Sequence, residues 1–334
     1  MEVISIQHGS GGSLTAQLIK KLFYKYFENP YLLEGHDSAR LPRPNGRLAF
    51  TTDSYVISPL FFPGGNIGKL AVCGTVNDLS MSGAKPLYIS SSFIIEAGLS
   101  VKVLEEVVAA MADAAKEANV LIVAGDTKVV ERGAVDKLFI NTAGIGEIAD
   151  KVEISGGRAA VGDVIISSGT LGDHGMAIMV ERQQLQLESQ LVSDCAPLNS
   201  LVQDMLKVCP DIRVLRDPTR GGAATALNEI ATQSQVEIEL YEDEMPVKAE
   251  VRGVCELLGL DPLYLANEGK LLAVVPEESA EVILAAMKRN PYGRESTVIG
   301  KVTKKSSGRV YINTIVGGQR IVDVMVGDPL PRIC

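Results

Sequence analysis

The sequence predicts a two-domain protein of mixed α/β (α+β) class. The chain has 334 residues, which corresponds to two domains at roughly 150 residues per domain. Strand-like and helix-like segments follow one another in both halves, as is typical of layered α/β and α+β folds. The pattern weakens at SGGR and VGD, so we place the domain boundary there. We therefore expect a glycine-rich segment and helix at 1–40, a first domain at 41–152, a second domain at 153–325 and a flexible tail at 326–334.

Composition limits the possible classes of function. Hydrophobic residues make up 46% and charged residues 22% of the chain, as in globular proteins with a substantial core. The net charge of −9 disfavours an extended nucleic-acid surface, which needs clustered Lys and Arg. No segment is long and apolar enough to span a bilayer, and the start MEVISIQHGSGG lacks the basic and apolar blocks of a signal peptide. We expect a cytoplasmic protein without nucleic-acid or membrane partners.

The first half is predicted to mix helices and strands. Leu14, Leu18 and Leu22 recur at helical spacing directly after the N-terminal glycines, which predicts a helix. Strands are predicted at LAFTTDS, PLYISSSFII, NVLIVAGD and KLFINTAGIGE, where apolar and β-branched residues alternate or cluster. Two more helices are predicted at GKLAVCGTVNDLSMSG and VKVLEEVVAAMADAAKEA, and the second carries an apolar stripe.

The second half repeats this mixture. Strands are predicted at DVIISS, VEIEL, KLLAVV and STVIGKV because each is short, apolar and rich in β-branched residues. Helices are predicted at AIMVERQQL, TRGGAATALNEIATQ and ESAEVILAAMKRN. Glu268, in LANEGKL, comes just before the strand KLLAVV, and His174 lies in the turn GTLGDHG.

Three aspartates indicate a possible metal and phosphate site. Asp53 is in TTDS, Asp78 in TVNDL and Asp126 in AGDTK, and we expect all three at strand ends, near Lys128. Several carboxylates can hold Mg²⁺, which prefers oxygen ligands and usually shares them with substrate phosphates. A single aspartate of this kind is more often a cap or turn residue. Three of them near glycines and a lysine favour the metal site.

Glycine-rich segments offer anion sites of different kinds. HGSGGS near the N-terminus can wrap phosphates with backbone N–H groups, although a simple leader is the commoner alternative. DPTRGGAATAL places Arg220 at a helix start, where anions are favoured, or alternatively at a turn with a solvated side chain. PGGNIGKL is not a P-loop, because the spacing from Gly64 to Lys69 is one residue short and Leu70 replaces the metal-binding Ser or Thr. Any ATP is therefore held by a different loop architecture.

The last residue of the chain is a cysteine. The chain's cysteines show no CxxC pair, which excludes the usual zinc spacings and argues against a disulfide framework. Pro329 and Pro331 come just before Cys334 and argue against a closing helix or strand. By position alone, such a residue is more often without function. The five cysteines are Cys73, Cys195, Cys209, Cys255 and Cys334.

Six segments together match one family pattern: TTDSYVISPLFFPGGNIGKLAVCGTVNDLSMSGAKP, AGDTKVV, SGTLGDHGMA, RDPTRGG, ANEGKL and the terminal PRIC. With them the chain resembles the hydrogenase maturation protein HypE family over essentially its whole length. The first two segments and the RGG turn are shared with a wider superfamily, which includes aminoimidazole ribonucleotide synthetase, selenophosphate synthetase and thiamine monophosphate kinase. The PRIC end points to HypE within that superfamily.

The resemblance implies a two-domain PurM-like fold and a homodimer, in which strands of the two N-terminal domains complete a shared β-barrel. It also implies ATP in a cleft near the dimer interface, under the glycine-rich segment. Asp53, Asp78 and Asp126 are the implied metal ligands, and their oxygens suit Mg²⁺ or Mn²⁺. The implied cofactor-binding residues are Gly9, Ser10, Gly11, Gly12, Lys69, Asn77, Asp126 and Thr127.

In this family the terminal cysteine, here Cys334, receives a carbamoyl group from a HypF-type carbamoyltransferase. ATP then drives dehydration of the S-carboxamide to an S-cyanide, which passes to an iron held by the HypC–HypD complex and becomes a ligand of [NiFe]-hydrogenase. The step needs a base, a cation near the γ-phosphate and exclusion of bulk water. We expect Glu268 as the base and Lys128, Arg220 and the metal as charge stabilisers, with His174 in either role.

Two other functions fit the same segments. A small-molecule kinase or synthetase of the superfamily would leave Cys334 without a role, and its use of ATP would survive removal of that residue. A non-catalytic scaffold would bind ATP only to fold or dimerise, and ADP would not form in proportion to modified cysteine. The sequence also leaves open whether the tail enters its own or the neighbouring active site.

Overall fold

The computed structural model describes residues 3–183, 191–325, 327 and 333–334. The chain forms two main sheets, each packed against helices, and the expected mixed α/β class is confirmed. Every strand of the first sheet ends at or before Ile148, and every strand of the second begins at or after Val164. Residues 149–163, which include most of the expected boundary region, form no helix or strand.

The first half contributes a four-stranded sheet and a short hairpin. The order of the sheet is β1-β6-β4-β5, with β4 and β5 parallel and the other neighbours antiparallel. The strands β1 and β5 are therefore its two edges, and β2 pairs with β3 in the hairpin. The strands are β1 (Arg47–Tyr55), β2 (Phe61–Phe62), β3 (Gly65–Asn66), β4 (Lys85–Glu96), β5 (Leu121–Val130) and β6 (Leu138–Ile148).

Helices of the first half pack on one face and one edge of this sheet. The predicted N-terminal helix runs without interruption through a π-helical turn at Ile19–Phe23. Leu104, Val108 and Met111 of the predicted apolar stripe are fully buried, because they point from one side of their helix toward the sheet. The helices are α1 (Ser13–Leu18), α2 (Tyr24–Tyr26), α3 (Pro30–Leu33), α4 (Ile67–Met81) and α5 (Val101–Ala118).

The two faces of the first sheet differ in character. Side chains alternate across a strand, so Thr51, Asp53 and Tyr55 share the inner face of β1, toward α4. Leu48 and Phe50 project from the outer face and are 64% and 70% exposed. An exposed apolar sheet face is typical of a surface that another protein covers.

The second half contains a seven-stranded sheet in the order β13-β12-β9-β11-β7-β10-β8. The predicted strands are confirmed as β7 (Val164–Ser167), β9 (Val236–Tyr241), β10 (Leu272–Val275) and β11 (Thr297–Lys305), and the remaining strands are β8 (Val214–Arg216), β12 (Arg309–Asn313) and β13 (Gln319–Ile321). The helices are α6 (Asp173–Gln183), α7 (Asn199–Val208), α8 (Gly222–Ser234), α9 (Ala249–Leu258) and α10 (Glu277–Arg289). The end of the predicted helix AIMVERQQL lies outside the described residues.

The helix α4 joins the two halves. It is buried nearly all round, which is the expected position for a helix that is apolar on every side. One core cluster contains Leu70 and Val76 of α4 together with Met176 and Ile178 of α6. The two halves therefore share a core. Among the described helices, none is long and apolar enough to cross a membrane.

Candidate active site

Two aspartates lie where the inner face of β1 meets α4. Thr51 Oγ1 donates to Asp78 Oδ2 at 2.9 Å, and Asp53 lies two residues further along the same face of β1. Burial raises the pKa of Asp78 and the charge of Asp53 raises it further, against the opposing effects of the Thr51 hydrogen bond and Arg216. The charges of Asp53 and Asp78 are therefore coupled.

The expected position of the aspartates at strand ends is wrong in detail. Asp78 lies in the last turn of α4, and Asp126 lies in the middle of β5. Asp53 is within β1, two residues before its end. Each carboxylate reaches the site because of the face of its helix or strand from which it projects, and not because it lies at the end of a strand. Such an arrangement depends on tertiary packing.

Asp217 is an aspartate that sequence reasoning missed. It follows β8 directly, in the quoted segment RDPTRGG. Burial raises its pKa to about 7, with further contributions from the charges of Asp78 and Asp53. Arg216 lowers the pKa of both Asp217 and Asp78, whereas the expected Arg220 is exposed at the turn before α8. The signal that could have found Asp217 is the short apolar segment before it, which forms β8 but is not among the predicted strands.

Asp53, Asp78 and Asp217 fit the ligand preference of Mg²⁺ without forming a finished metal cage. Within the described residues, no three His, Cys, Asp or Glu side chains are close enough to hold a metal ion by themselves. Mg²⁺ is usually bound by one or two carboxylates together with phosphates of the substrate. Carboxylates that raise one another's pKa are also stabilised by a nearby cation. The cluster therefore suits a cation that arrives with a phosphate group.

Glu268 is a buried carboxyl group held by its backbone. Its N–H and that of Gly269 donate to Oδ1 and Oδ2 of Asp194 at 3.2 and 3.1 Å, and its carbonyl accepts from Asn77 Nδ2 at 3.3 Å. The residue is 3% exposed, and Oε1 has no hydrogen-bond partner among the described residues. Burial raises its pKa well above the usual range, with Cys195, Asp217 and other acidic groups adding to the effect. Such a carboxyl group is suited to proton transfer near neutral pH.

Tyr55 lies close to the same group of acids and was also missed. Its ring is buried, and Oη has no hydrogen-bond partner among the described residues. The nearby hydroxyl of Thr75 lies 2.6 Å from Thr142 Oγ1 instead. A Cβ on Gly74 of α4 would collide with Tyr55 Oη, so glycine at this helix position makes room for the phenol. Burial raises the pKa of Tyr55, and the charges of Asp53 and Glu268 add to it.

The last two residues of the chain are docked against their own subunit. Val56 N–H donates to the carbonyl of Cys334 at 3.3 Å, one residue after Tyr55. The side chain of Ile333 is buried in the core cluster that the two halves share, and Cys334 is half-buried against it. Residues 326 and 328–332 of the expected flexible tail lie outside the described residues.

His174 contacts this docked end directly. It is the second residue of α6 and is fully buried. Its Nε2 lies 2.6 Å from the carbonyl oxygen of Ile333, and its Nδ1 lies 2.8 Å from Ser193 Oγ. Burial lowers the pKa of His174, against the opposing effect of the Ile333 carbonyl. Both ring nitrogens are therefore engaged while the end of the chain is docked.

A second group of expected site residues lies at the opposite edge of the sheet. Asp126 Oδ2 and Lys128 Nζ form a solvent-exposed ion pair at 2.9 Å on β5, and the Lys128 hydrogen bond is the main reason why the pKa of Asp126 is lowered. The glycine-rich segment packs on this strand, since a Cβ on Gly9 would lie only 2.6 Å from the backbone N of Val129. Thr127, Ser10, Gly11 and Gly12 belong to the same region.

A cavity of about 220 Å³ adjoins this second group. It lies between β5 and the helices α1 to α3, and its wall includes Thr127 and Asp126. Much of the remaining lining is aromatic: Phe23, Tyr24, Phe27 and Tyr31. A concave cleft with aromatic walls and well-placed polar groups is a common form of small-molecule site.

Lys69 and Asn77 lie where the two halves of the chain meet. Lys69 Nζ donates to the carbonyl of Gly64 at 3.0 Å and lines a different cavity, of about 260 Å³, with Asp194 and Lys270. Asn77 is buried, and its side-chain amide bonds across the domain junction to backbone groups of Ala196, Leu198 and Glu268 in the second half. In this structure Asn77 therefore fixes the loops around Glu268.

Comparisons with known proteins agree with this architecture. The family model described as AIR synthase related protein, N-terminal domain, matches residues 35–148, and its C-terminal counterpart matches residues 160–313. The carbamoyl dehydratase HypE of Bradyrhizobium diazoefficiens is 53% identical over 332 residues, which cover 99% of this chain and 96% of that protein. A crystal structure of a hydrogenase maturation protein HypE in complex with ATP has a TM-score of 0.95 at 51% identity and covers 99% of each chain. A HypE–HypF complex gives a TM-score of 0.82 at 51% identity, over 92% of this chain and 99% of the other.

The two matched domains and the carboxylates at their junction define a protein of the AIR synthase-related, PurM-like class. Within that class, the chain belongs to the hydrogenase maturation protein HypE family. The resemblance seen in the sequence is confirmed.

Proposed function

We propose that this chain is an ATP-dependent carbamoyl dehydratase that converts an S-carboxamide on Cys334 into an S-cyanide. The proposal rests on the position of Cys334, whose carbonyl is bonded to Val56 directly after the strand that carries Asp53 and Tyr55. An enzyme that acts only on free small molecules has no use for its own terminus at this place. The name carbamoyl dehydratase, carried by a relative that is 53% identical, supports the same activity.

The reaction is the loss of water from the carboxamide, coupled to cleavage of ATP. The carboxamide oxygen attacks the γ-phosphorus, the bond from that phosphorus to the β,γ-bridging oxygen breaks, and ADP leaves. The C–O bond then breaks and releases phosphate, while the electron pair of an N–H bond completes the C≡N bond. Both N–H protons are lost, one before and one during this elimination, and they end on phosphate and in solution.

Glu268 is the base that we assign to the elimination. Its backbone is fixed by Asp194 and Asn77, and its Oε1 has no partner among the described residues. A raised pKa makes the carboxylate a stronger base, which helps it to take the N–H proton near neutral pH. Its burial also keeps bulk water from the phosphorylated intermediate.

Asp53, Asp78 and Asp217 would hold a magnesium ion, which neutralises phosphate charge during the transfer. The acidic cluster supports this assignment because the charge of Asp53 raises the pKa of Asp78, and the charges of Asp78 and Asp53 raise the pKa of Asp217. Lys128, which pairs with Asp126, and Arg216, whose charge lowers the pKa of Asp78 and Asp217, would stabilise phosphate charge. ATP as the substrate is supported by the HypE structure in complex with ATP.

The complete site needs a second copy of the chain. Asp53 points to the inner face of the sheet at its β1 edge. Asp126 lies at the β5 edge, in one cross-strand row with Ser92, Asn141 and Ser54. That row is on the outer face, because Ser54 alternates with Asp53 along β1. A homodimer that closes the two four-stranded sheets into one barrel would cover the exposed Leu48 and Phe50. A two-fold axis along that barrel places β1 of one subunit beside β5 of its partner.

The cavity beside β5 would then receive the adenine ring. Its aromatic lining suits a flat heterocycle, and Asp126 and Thr127 at its rim would face the ribose and phosphates. The triphosphate would extend from this cavity across the subunit boundary toward Asp53 and Asp78. This arrangement uses both groups of expected site residues in one site.

The partners follow from the same chemistry. A HypF-type carbamoyltransferase would load Cys334, in agreement with the HypE–HypF complex formed by a relative. A HypC–HypD complex would accept the cyanide on its iron, because an S-cyanide is a product that must be handed to an electron-rich acceptor. A protein that takes part in these steps would act in the cytoplasm.

Mass spectrometry of the C-terminal peptide tests this function. The protein is incubated with a HypF-type carbamoyltransferase, carbamoyl phosphate and ATP, freed of small molecules, and then given fresh Mg-ATP. We expect Cys334 to gain the mass of a carbamoyl group. The carbamoylated protein that remains after removal of small molecules should lose the mass of one water only when fresh Mg-ATP is added. A tail that is never modified, or that loses water without ATP, would contradict the proposal. The Cys334→Ala variant is the control and should show neither change.

A further inference from the structure

We propose that His174 and Ser193, which we call the tail latch, hold the end of the chain in its docked position. This inference rests on the proposed function, because docking matters only if Cys334 must visit two places. The latch would favour dehydration inside the cleft and would limit carbamoyl transfer outside it. His174 is thereby a positioning residue and not the base or charge stabiliser that the sequence suggested.

The hydrogen bonds around the latch define one arrangement of protons. Ser193 Oγ accepts from the backbone N–H of Cys195 at 3.1 Å, so its own proton is available to His174 Nδ1, 2.8 Å away. A histidine that accepts at Nδ1 carries its proton on Nε2 when it is neutral. Nε2–H therefore donates to the carbonyl of Ile333, across the 2.6 Å contact. Ser193 sets the tautomer, and the tautomer provides the donor for the tail.

The imidazole is held rigidly for this purpose. Phe62 of the β2–β3 hairpin packs edge-on against it, with ring centres 5.5 Å apart and planes at 89°. The same hairpin fixes Ser193, whose backbone N–H donates to the carbonyl of Pro63 at 2.9 Å. A pre-oriented donor loses little conformational entropy when the tail docks.

Departure of the tail leaves the latch incomplete. His174 is fully buried while the tail is docked, and departure of the tail takes the Ile333 carbonyl away from its Nε2–H. A buried donor without a partner is unfavourable, and this favours return of the tail. The buried side chain of Ile333 adds an apolar contribution that has no directional requirement. The latch thus specifies where the backbone of the tail must lie.

Alkylation of Cys334 tests the latch without any partner protein. The other four cysteines are buried, so the reaction of native protein with iodoacetamide, followed by peptide mapping, reports the exposure of the tail thiol. Loss of one hydrogen bond shifts the docking equilibrium by roughly tenfold. We expect His174→Leu and Ser193→Ala to alkylate at Cys334 up to about tenfold faster than the wild type.

Two variants provide matched controls. His174→Gln can still donate from its side-chain amide to Ile333 and should restore slow alkylation. Ser234 is a buried serine of the second domain, which accepts from Ala159 N–H and donates to the carbonyl of Gly156. Ser234→Ala removes a comparable pair of hydrogen bonds far from the tail and should leave the alkylation rate of Cys334 unchanged.

The two half-reactions give the second readout. With the latch variants, single-turnover dehydration of carbamoylated protein should slow by about twofold, because a tenfold shift in docking lowers the docked fraction from about 90% to about 50%. Carbamoylation by the partner should be unchanged or faster. The affinity for ATP should not change. Equal slowing of both half-reactions in a variant of wild-type Tm, or unchanged alkylation, would overturn the latch. If the wild type performs neither half-reaction, the proposed function fails, whereas the alkylation result still decides whether the latch exists.

Discussion

Glu268 combines a fixed backbone with a buried carboxyl group whose pKa is raised in the folded protein. Its pKa in the unfolded chain is close to the ordinary 4.5, whereas burial and acidic neighbours raise the folded value well above this. The folded state therefore binds more protons than the unfolded state above pH 4.5. Stability that is present at low pH is consequently lost as the pH rises through the folded pKa.

Glu268→Gln separates stability from catalysis. We expect the variant to be more stable than the wild type by at least about 1 kcal/mol at pH 8, and by less at pH 5, because the amide has no charge to bury. It should retain carbamoylation at Cys334 but lose ATP-dependent dehydration. Urea unfolding at the two pH values measures the first effect and single-turnover mass spectrometry the second. A stability difference that does not grow with pH would contradict the raised pKa.

Tyr55 and Gly74 are coupled by close packing. Gly74→Ala should destabilise the protein by about 1–3 kcal/mol, because the new methyl group overlaps the phenol oxygen in a packed core. Tyr55→Phe should cost little, because its hydroxyl has no hydrogen-bond partner among the described residues. The double variant should recover only part of the loss, since the added Cβ would still lie 3.0 Å from the ring carbon Cζ. Additive effects in a double-mutant cycle would show that the two residues are not in contact.

At the scale of elements, α4 organises the site. It carries Asp78 toward β1, Gly74 beneath Tyr55 and Asn77 toward the loops of the second domain. Asn77 Nδ2 donates to the carbonyls of Ala196 and Glu268, and Oδ1 accepts from Leu198 N–H at 2.8 Å. One helix thus positions the proposed metal ligand Asp78 and the proposed base Glu268 together.

Asn77→Asp tests this role of α4. The carboxylate is nearly the same size but cannot donate to Ala196 and Glu268, and it would be charged in a buried place. We expect a loss of about 2–4 kcal/mol in the free energy of unfolding, with slower dehydration and little change in carbamoylation. Asn228→Asp in α8 is a control, because Nδ2 of Asn228 donates to the carbonyl of Val322, away from the site. It should leave the ratio of the dehydration rate to the carbamoylation rate unchanged. Equal losses in that ratio would argue against a specific role for Asn77.

Much of the fold could be predicted from sequence, because most elements carry a local signal. The stripe of α5 and the β-branched runs of β7, β9, β10 and β11 are fixed by periodicity and composition. The site was only partly predictable. Asp217, Tyr55 and Ser193 contribute through burial and through neighbours distant in the chain, and neither property can be read from the residues around them. Asp78 was found as a candidate but placed wrongly, because its role depends on the face of a helix.

At the scale of the whole molecule, the separation of Asp53 and Asp126 to opposite edges of one sheet predicts a site shared between subunits. Asp53→Asn and Asp126→Asn should each abolish dehydration. An equal mixture of the two variants, allowed to exchange subunits, should recover roughly one quarter of wild-type activity, because about half of the dimers then contain one intact site. Dehydration in the mixture is measured against each variant alone.

A second mixture provides the control. Asp53 and Asp78 lie on the same side of one subunit, so Asp53→Asn mixed with Asp78→Asn leaves every site with one defect. No activity should return. Recovery in both mixtures, or in neither, would contradict a site built from Asp53 of one subunit and Asp126 of the partner subunit.

The docking of Cys334 within its own chain has a consequence for the kinetics. A reactant that is covalently part of the protein is present at a high effective concentration, set by the length of the tail and not by how much protein is in solution. The rate per chain should therefore stay constant as the sample is diluted, down to the concentration at which the dimer dissociates. At no stage does cyanide need to exist as a free species, because it forms on the sulfur atom that delivers it. Between carbamoylation and transfer to the acceptor, each chain carries one carbon–nitrogen group on its one terminal sulfur atom.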